Sequence, residues 1–206
     1  MGSESTFPLN FLTNPTIQYK STLTPLFLAM LRPMRIALLF ACSLLAGCAM
    51  PVRDTGQAAT FFIVRHAEKT DASRDPDLSE SGRVRAQALA TRLADRDLAA
   101  IYATEFKRTG QTAAPTATEH GIAITPYPAA RPAAEFATQL KAAHPRGNAL
   151  IAGHSNTVPG IVAALCACDV APMPDHEYDR LSIVTIDADG HARLTVERYG
   201  AASPAP

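Results

Sequence analysis

Residues 60–69 read Thr60-Phe61-Phe62-Ile63-Val64-Arg65-His66-Ala67-Glu68-Lys69, a short apolar run that gives way to charge within one step. Five β-branched or aromatic residues in succession suit a strand buried on both faces, the kind found in parallel sheets. Such a strand delivers the next residues of the chain to the carboxyl edge of the sheet, where open α/β folds place their chemistry. Here those residues are an arginine and a histidine. A guanidinium grips phosphate oxygens through a planar fork, and a neutral imidazole nitrogen can attack phosphorus. The pair suggests phosphoryl transfer, and the rest of the chain must either supply partners for it or fail to.

Downstream, strand-like and helix-like segments alternate, which predicts an α/β sheet covered by helices. Ser79 is placed to cap a helix whose Ala86, Leu89, Ala90 and Leu93 fall at i, i+3, i+4 and i+7. Ala99 to Ala103 reads as a second strand, followed by a helix from about Lys107 to Glu119 that stops near Gly121. Ile122 to Tyr127 suits a third strand, Pro132 opens another helix, and Ala149-Leu150-Ile151-Ala152 is a buried-type strand ending in Gly153-His154. Pro159 to Cys166 forms a short apolar helix. Leu181 to Ile186 and Ala192 to Tyr199 form a closing hairpin around Asp189-Gly190. If the sheet is parallel, three strand ends bring Arg65-His66, Thr104 to Arg108 and Gly153 to Thr157 to one edge.

In order along the chain stand Arg65-His66 after a strand, Leu78-Ser79-x-x-Gly82 before a helix with Gln87-Ala88, Arg108-x-x-Gln111-Thr112-Ala113, and Gly153-His154-Ser155. Together they resemble the histidine phosphatase superfamily, also called phosphoglycerate-mutase-like, from about Thr60 to Tyr199. That resemblance implies a three-layer α/β/α fold with a mostly parallel central sheet. It implies His66 as the nucleophile that becomes phosphohistidine, with Arg65 and Arg108 on the non-bridging oxygens and His154 as a further donor. It implies no metal and no cofactor. An attacking His66 must be neutral at one nitrogen, so its other nitrogen should donate to a carbonyl or a similar acceptor. Around this set, Glu68, Lys69, Glu105 and Asn156 are candidate substrate contacts, and Glu68 and Lys69 could instead shape the pocket or orient its side chains. Asn156 could equally cap the next helix.

Where larger members of that superfamily carry an acid to protonate the leaving oxygen, this sequence offers Glu119, Glu135, Glu105, Asp75 and Asp77, and none stands out. Glu135 sits off the apolar stripe of its helix, as a solvated residue would. The short phosphohistidine phosphatases of the superfamily also lack a dedicated acid. The substrate could therefore be a phosphoramidate, a phosphorylated small molecule or a phosphohistidine-bearing protein. A phosphate-binding protein with little turnover and a phosphomutase are the alternatives.

Residues 1–47 read as a leader. Arg32 and Arg35 precede the apolar run Ile36 to Leu45, which is too short to span a bilayer. Leu45-Ala46-Gly47-Cys48 resembles a bacterial lipobox, which implies lipidation at Cys48, and Ala49 after it leans towards an outer-membrane anchor facing the periplasm. Residues before Met30 do not suit a signal, so translation could begin at Met30 or Met34. Residues 48–58 would be a tether, 59–200 the domain and 201–206 a loose tail.

Net charge is zero over 206 residues. Lys20, Arg32 and Arg35 against Glu4 give the leader +2, leaving the rest at −2. A slightly acidic domain without a basic stripe argues against a nucleic-acid partner. Outside the leader and Cys48, the cysteines are Cys166 and Cys168, two apart; they suit small buried thiols near a helix end better than a strained disulfide or a zinc site, although export would leave them open to oxidation.

Overall fold

Side chains alternate across the first strand, and the alternation sorts the core into two layers. In the computed structural model, which describes residues 59–204, β1 spans Ala59–Arg65. Phe61 and Ile63 point to one face of the sheet, where they meet Phe136, Leu140, Ile161 and Leu165. Phe62 and Val64 point to the other, against Leu89, Leu93 and Ala113. A strand buried on both sides carries apolar residues at every position, which is why residues 61–64 show no polar alternation.

The remaining elements agree closely with the sequence reading. Helix α1 is Glu80–Leu93, β2 Leu98–Thr104, α2 Lys107–His120, β3 Ile124–Tyr127, α3 Ala133–Ala143, β4 Gly147–Gly153, α4 Val158–Cys166, β5 Arg180–Ile186 and β6 Ala192–Arg198. The strands form one mixed sheet in the order β3-β2-β4-β1-β5-β6. The first four are parallel, and β5 runs antiparallel to both β1 and β6. Helices α1 and α2 cover one face, α3 and α4 the other. The architecture is a three-layer α/β/α sandwich.

Because β4 lies between β1 and β2, the chain crosses over at the point where three strand ends meet. Arg65 pairs with Gly153, and Ala103 pairs with Ala152. The His66 amide donates to the Gly153 carbonyl at 2.9 Å, extending the ladder one residue past the strand. This is the crevice at which ligands bind in open α/β sheets.

Ser79 caps α1, its side chain accepting from the Gly82 amide. Gly82 itself is required by packing: a Cβ there would overlap the carbonyl oxygen of Glu68. Gly82→Ala is therefore expected to lower stability by about 2–3 kcal/mol, read as a reduced denaturation midpoint. Unchanged stability would show that the segment after His66 moves freely away from α1. Helix α2 ends where expected, at Gly121 in the left-handed conformation with φ of 65°.

Two expectations are corrected. Cys166 and Cys168 form a disulfide. Ala167 between them takes a left-handed backbone, φ 51°, which brings the two Cα atoms to 5.2 Å, inside the ordinary range for a bridge. The start of the tail is pinned rather than loose. Ser203 Oγ accepts from the amides of Tyr178 and Asp179 and donates to the Asp179 carboxylate at 2.8 Å, while the Ala201 carbonyl accepts from Arg85. The leader, Cys48 and the tether lie outside the described residues. Among the described residues, no helix is long and apolar enough to cross a membrane.

Candidate active site

The three strand ends line a cavity of about 520 Å³ that includes Arg65, His66, Lys69, Arg108, His154 and Asn156. His66 is buried, 4 % exposed. Its Nδ1 donates to the carbonyl of Ala67 at 2.8 Å, which is the acceptor the sequence required but could not name. That bond fixes the tautomer and leaves the Nε2 lone pair available. The backbone around it is held from two sides. The Ala67 amide donates to Thr112 Oγ1 at 2.9 Å, and the Thr112 hydroxyl donates to the Arg108 carbonyl.

Arg65 comes from the last position of β1 and is 5 % exposed. Its NH1 donates to the carbonyls of Pro174, Asp175 and Glu177 at 3.1, 2.8 and 3.2 Å, and its guanidinium lies 4.2 Å above the Tyr178 ring. Its Nε is buried without a partner among the described residues. A buried N–H left unpaired costs about 1–3 kcal/mol, so the edge of the fork formed by Nε and NH2 is a donor pair suited to an anion.

Arg108 reaches the same cavity from the first turn of α2. Its NH2 donates to His154 Nδ1 at 3.4 Å, and its guanidinium lies 4.4 Å from the Phe106 ring centroid. His154 in turn has Nε2 2.9 Å from Thr104 Oγ1. With Nδ1 accepting from Arg108, His154 Nε2 carries the proton and donates to Thr104. The two imidazoles stand 5.4 Å apart, edge to face.

Burial is the largest influence on both rings. It pushes His66 down to about 3, aided by the cations Arg65 and Arg108 and opposed by the Ala67 carbonyl. It pushes His154 down to about 4, with Arg108 next and Glu105 opposing. Both are neutral at pH 7. Each binds its proton more weakly folded than unfolded, where the value is 6.5. Between pH 6.5 and about 4 the unfolded chain therefore takes up protons the folded chain refuses. Stability is full above 6.5 and falls as pH drops through this window, by at most roughly 1.4 kcal/mol per pH unit for each histidine. Denaturant titrations from pH 7 to pH 4.5 are expected to show that slope, and the double variant His66→Asn with His154→Asn to flatten it. An equally steep slope in the variant would assign it to other groups.

The secondary candidates divide. Lys69 and Asn156 line the cavity. Asn156 does not cap α4, whose N-cap is Thr157. Glu68 turns away from the cavity: Arg85 holds both carboxylate oxygens, with NH2 2.7 Å from Oε1. Glu105 accepts from the Ala129 amide at 2.7 Å, fixing the loop after β3. Glu68 and Glu105 thus shape the surroundings without lining the cavity. The other acids considered from sequence are also engaged elsewhere. Asp75 accepts from the Lys107 amide at the start of α2. Asp77 accepts from Gln111, Glu135 pairs with Arg131, and Glu119 lines a separate groove between α1 and α2. The sequence reading missed Asp175 and Tyr178, which reach the cavity from the loop between α4 and β5.

Residues 61–131 match the family described as histidine phosphatase superfamily (branch 1). Three solved structures share the fold of this chain. A mycobacterial glucosyl-3-phosphoglycerate phosphatase is 17% identical, with a TM-score of 0.56 over 70% of this chain and 100% of that one. The protein histidine phosphatase SixA, complexed with tungstate, is 20% identical, with a TM-score of 0.57 over 68% and 96%. Bacillus stearothermophilus YhfR gives the same identity, score and coverage. No curated protein matches the sequence. The histidine phosphatase match includes Arg65, His66 and Arg108 and stops before His154, which the fold brings beside them through the pairing of β4 with β1.

Proposed function

We propose that this domain is a phosphatase that transfers a phosphoryl group from a phosphomonoester or phosphoramidate to His66 Nε2, then to water. The observation that carries this reading is the Nδ1 bond of His66 to the Ala67 carbonyl, which leaves a neutral, fixed nucleophile in a cavity lined by Arg65, Arg108 and His154. Charge developing on the non-bridging oxygens meets the Nε and NH2 edge of Arg65 and the fork of Arg108. An arriving dianion also favours a protonated His154, whose Nδ1 then becomes a donor to the phosphoryl group while Nε2 keeps its bond to Thr104. The side chains supply the positive charge themselves, and the reading invokes no metal or cofactor.

The leader-like residues 1–47 and the lipobox-like Leu45-Ala46-Gly47-Cys48 support a domain exported from the cytoplasm and held on a lipid anchor at Cys48 facing the periplasm. The cysteine pair agrees with an oxidising compartment. That setting favours a phosphatase over a mutase of cytoplasmic intermediates. The substrate is then a phosphorylated small molecule or a phosphorylated protein of the envelope.

A test is phosphate release by the purified domain from an aryl phosphate, an alkyl phosphate and a phosphoramidate. Release from at least one is expected. Tight phosphate binding with no release from any of them would instead identify a binding protein that retains the pocket.

A further inference from the structure

Among the described residues, the cavity over His66 has a single carboxylate on its lining, Asp175. Its position is built. Arg65 NH1 takes the carbonyls of Pro174, Asp175 and Glu177. Glu177 is itself buried, 6 % exposed, and paired with Arg180 and Arg198. Tyr178 packs beneath the Arg65 guanidinium. The Asp175 side chain is oriented as well. Oδ1 accepts from Ser155 Oγ at 3.1 Å and lies 3.9 Å from Arg65 NH2. Oδ2 has no hydrogen-bond partner among the described residues, and the side chain is 96 % exposed on the cavity rim.

We infer that Asp175 is the acid that protonates the leaving group, an inference that rests on His66 being the nucleophile. In the first step the His66 Nε2–phosphorus bond forms and the bond from phosphorus to the leaving oxygen breaks. The electron pair stays on that oxygen, which takes the proton from Asp175 Oδ2. In the second step water attacks phosphorus and gives a proton back to the Asp175 carboxylate. The phosphorus–Nε2 bond breaks, and its electron pair returns to the imidazole. The donor holds one carboxyl oxygen on Ser155 and presents the other, so protonation falls on the free atom. With an acid in place, the domain acts on alkyl phosphates, whose leaving oxygens need a proton, and is not confined to activated phosphates.

The test compares Asp175→Asn with the native domain on p-nitrophenyl phosphate and on glycerol phosphate. The measured quantity is kcat/KM, which reports events up to formation of phosphohistidine. A nitrophenolate leaves without help, whereas an alkoxide does not. The variant is expected to lose about 10²-fold or more on glycerol phosphate and little on p-nitrophenyl phosphate. Equal loss on both substrates, or loss on neither, overturns the inference. So does a native domain that turns over only the activated ester. If the native domain releases phosphate from neither ester, or if His66→Ala matches it, the reading of His66 fails and takes this one with it. Because the Asp175 side chain is exposed, the variant's melting curve is expected to overlay the native one.

Discussion

His66→Ala is expected to reduce hydrolysis of an aryl phosphate by about 10⁴-fold or more, leaving the fold in place. The size of the effect comes from the role. Arg65 and Arg108 can stabilise charge on a phosphoryl group, but neither can attack it. Without the Nε2 lone pair, attack on phosphorus falls to water, a far weaker nucleophile than a fixed imidazole nitrogen. The fold should survive because the ring is held by one hydrogen bond to its neighbouring carbonyl. The backbone of the turn is fixed independently, by the His66 amide on Gly153 and the Ala67 amide on Thr112. Removing a histidine that is buried neutral should even relieve the acid sensitivity of the domain. The decisive comparison is turnover against melting temperature in the same sample. Native-like turnover in a folded variant would remove His66 from the mechanism. In the native domain, a phosphoryl group trapped on His66 by rapid acid-free quenching and mass analysis would give the same answer from the other side.

Most of the fold was legible because strands buried on both faces leave a strong signal. Phe61 to Val64 and Ala149 to Ala152 are continuous apolar runs, and β1 and β4, which carry them, pair along their whole length. That Arg65, His66, Arg108 and His154 line one cavity was legible for the same reason: each lies at a strand end or opens the next helix. Asp175 and Tyr178 were not. Their loop, Ala171-Pro172-Met173-Pro174-Asp175-His176-Glu177-Tyr178, has no periodicity, and it is positioned by backbone carbonyls that Arg65 collects. A contact of that kind leaves no pattern in side-chain chemistry. The turn of Glu68 away from the cavity had a readable signal. Arg85 falls on the buried stripe of α1 with Gly82, Ala86 and Leu89, and a cation on such a stripe requires a partner. Glu68 is that partner, and it leaves the cavity to serve it. The disulfide was hidden by Ala167, since nothing in its identity announces a left-handed backbone.

Arg65→Ala is expected to damage activity and stability together, and the two losses have separable causes. On the catalytic side, the Nε and NH2 edge is an anion donor pair, and losing one preorganised donor of this kind costs about 10²–10³ in kcat. On the structural side, NH1 is the common partner of the Pro174, Asp175 and Glu177 carbonyls, and the ring of Tyr178 loses the cation above it. Truncation frees that loop and opens a buried space at the end of β1, for about 2–3 kcal/mol of stability. Arg65→Lys separates the parts. A lysine keeps the charge but has neither the planar fork nor the reach to collect three carbonyls while offering two donors to an anion. It should recover part of the phosphate affinity and little of the loop anchoring. If Asp175 acts from that loop, Arg65→Lys should lose more on glycerol phosphate than on p-nitrophenyl phosphate, because the acid is displaced while the charge remains. A purely electrostatic role for Arg65 predicts equal losses on the two substrates, with a melting temperature close to native in both variants.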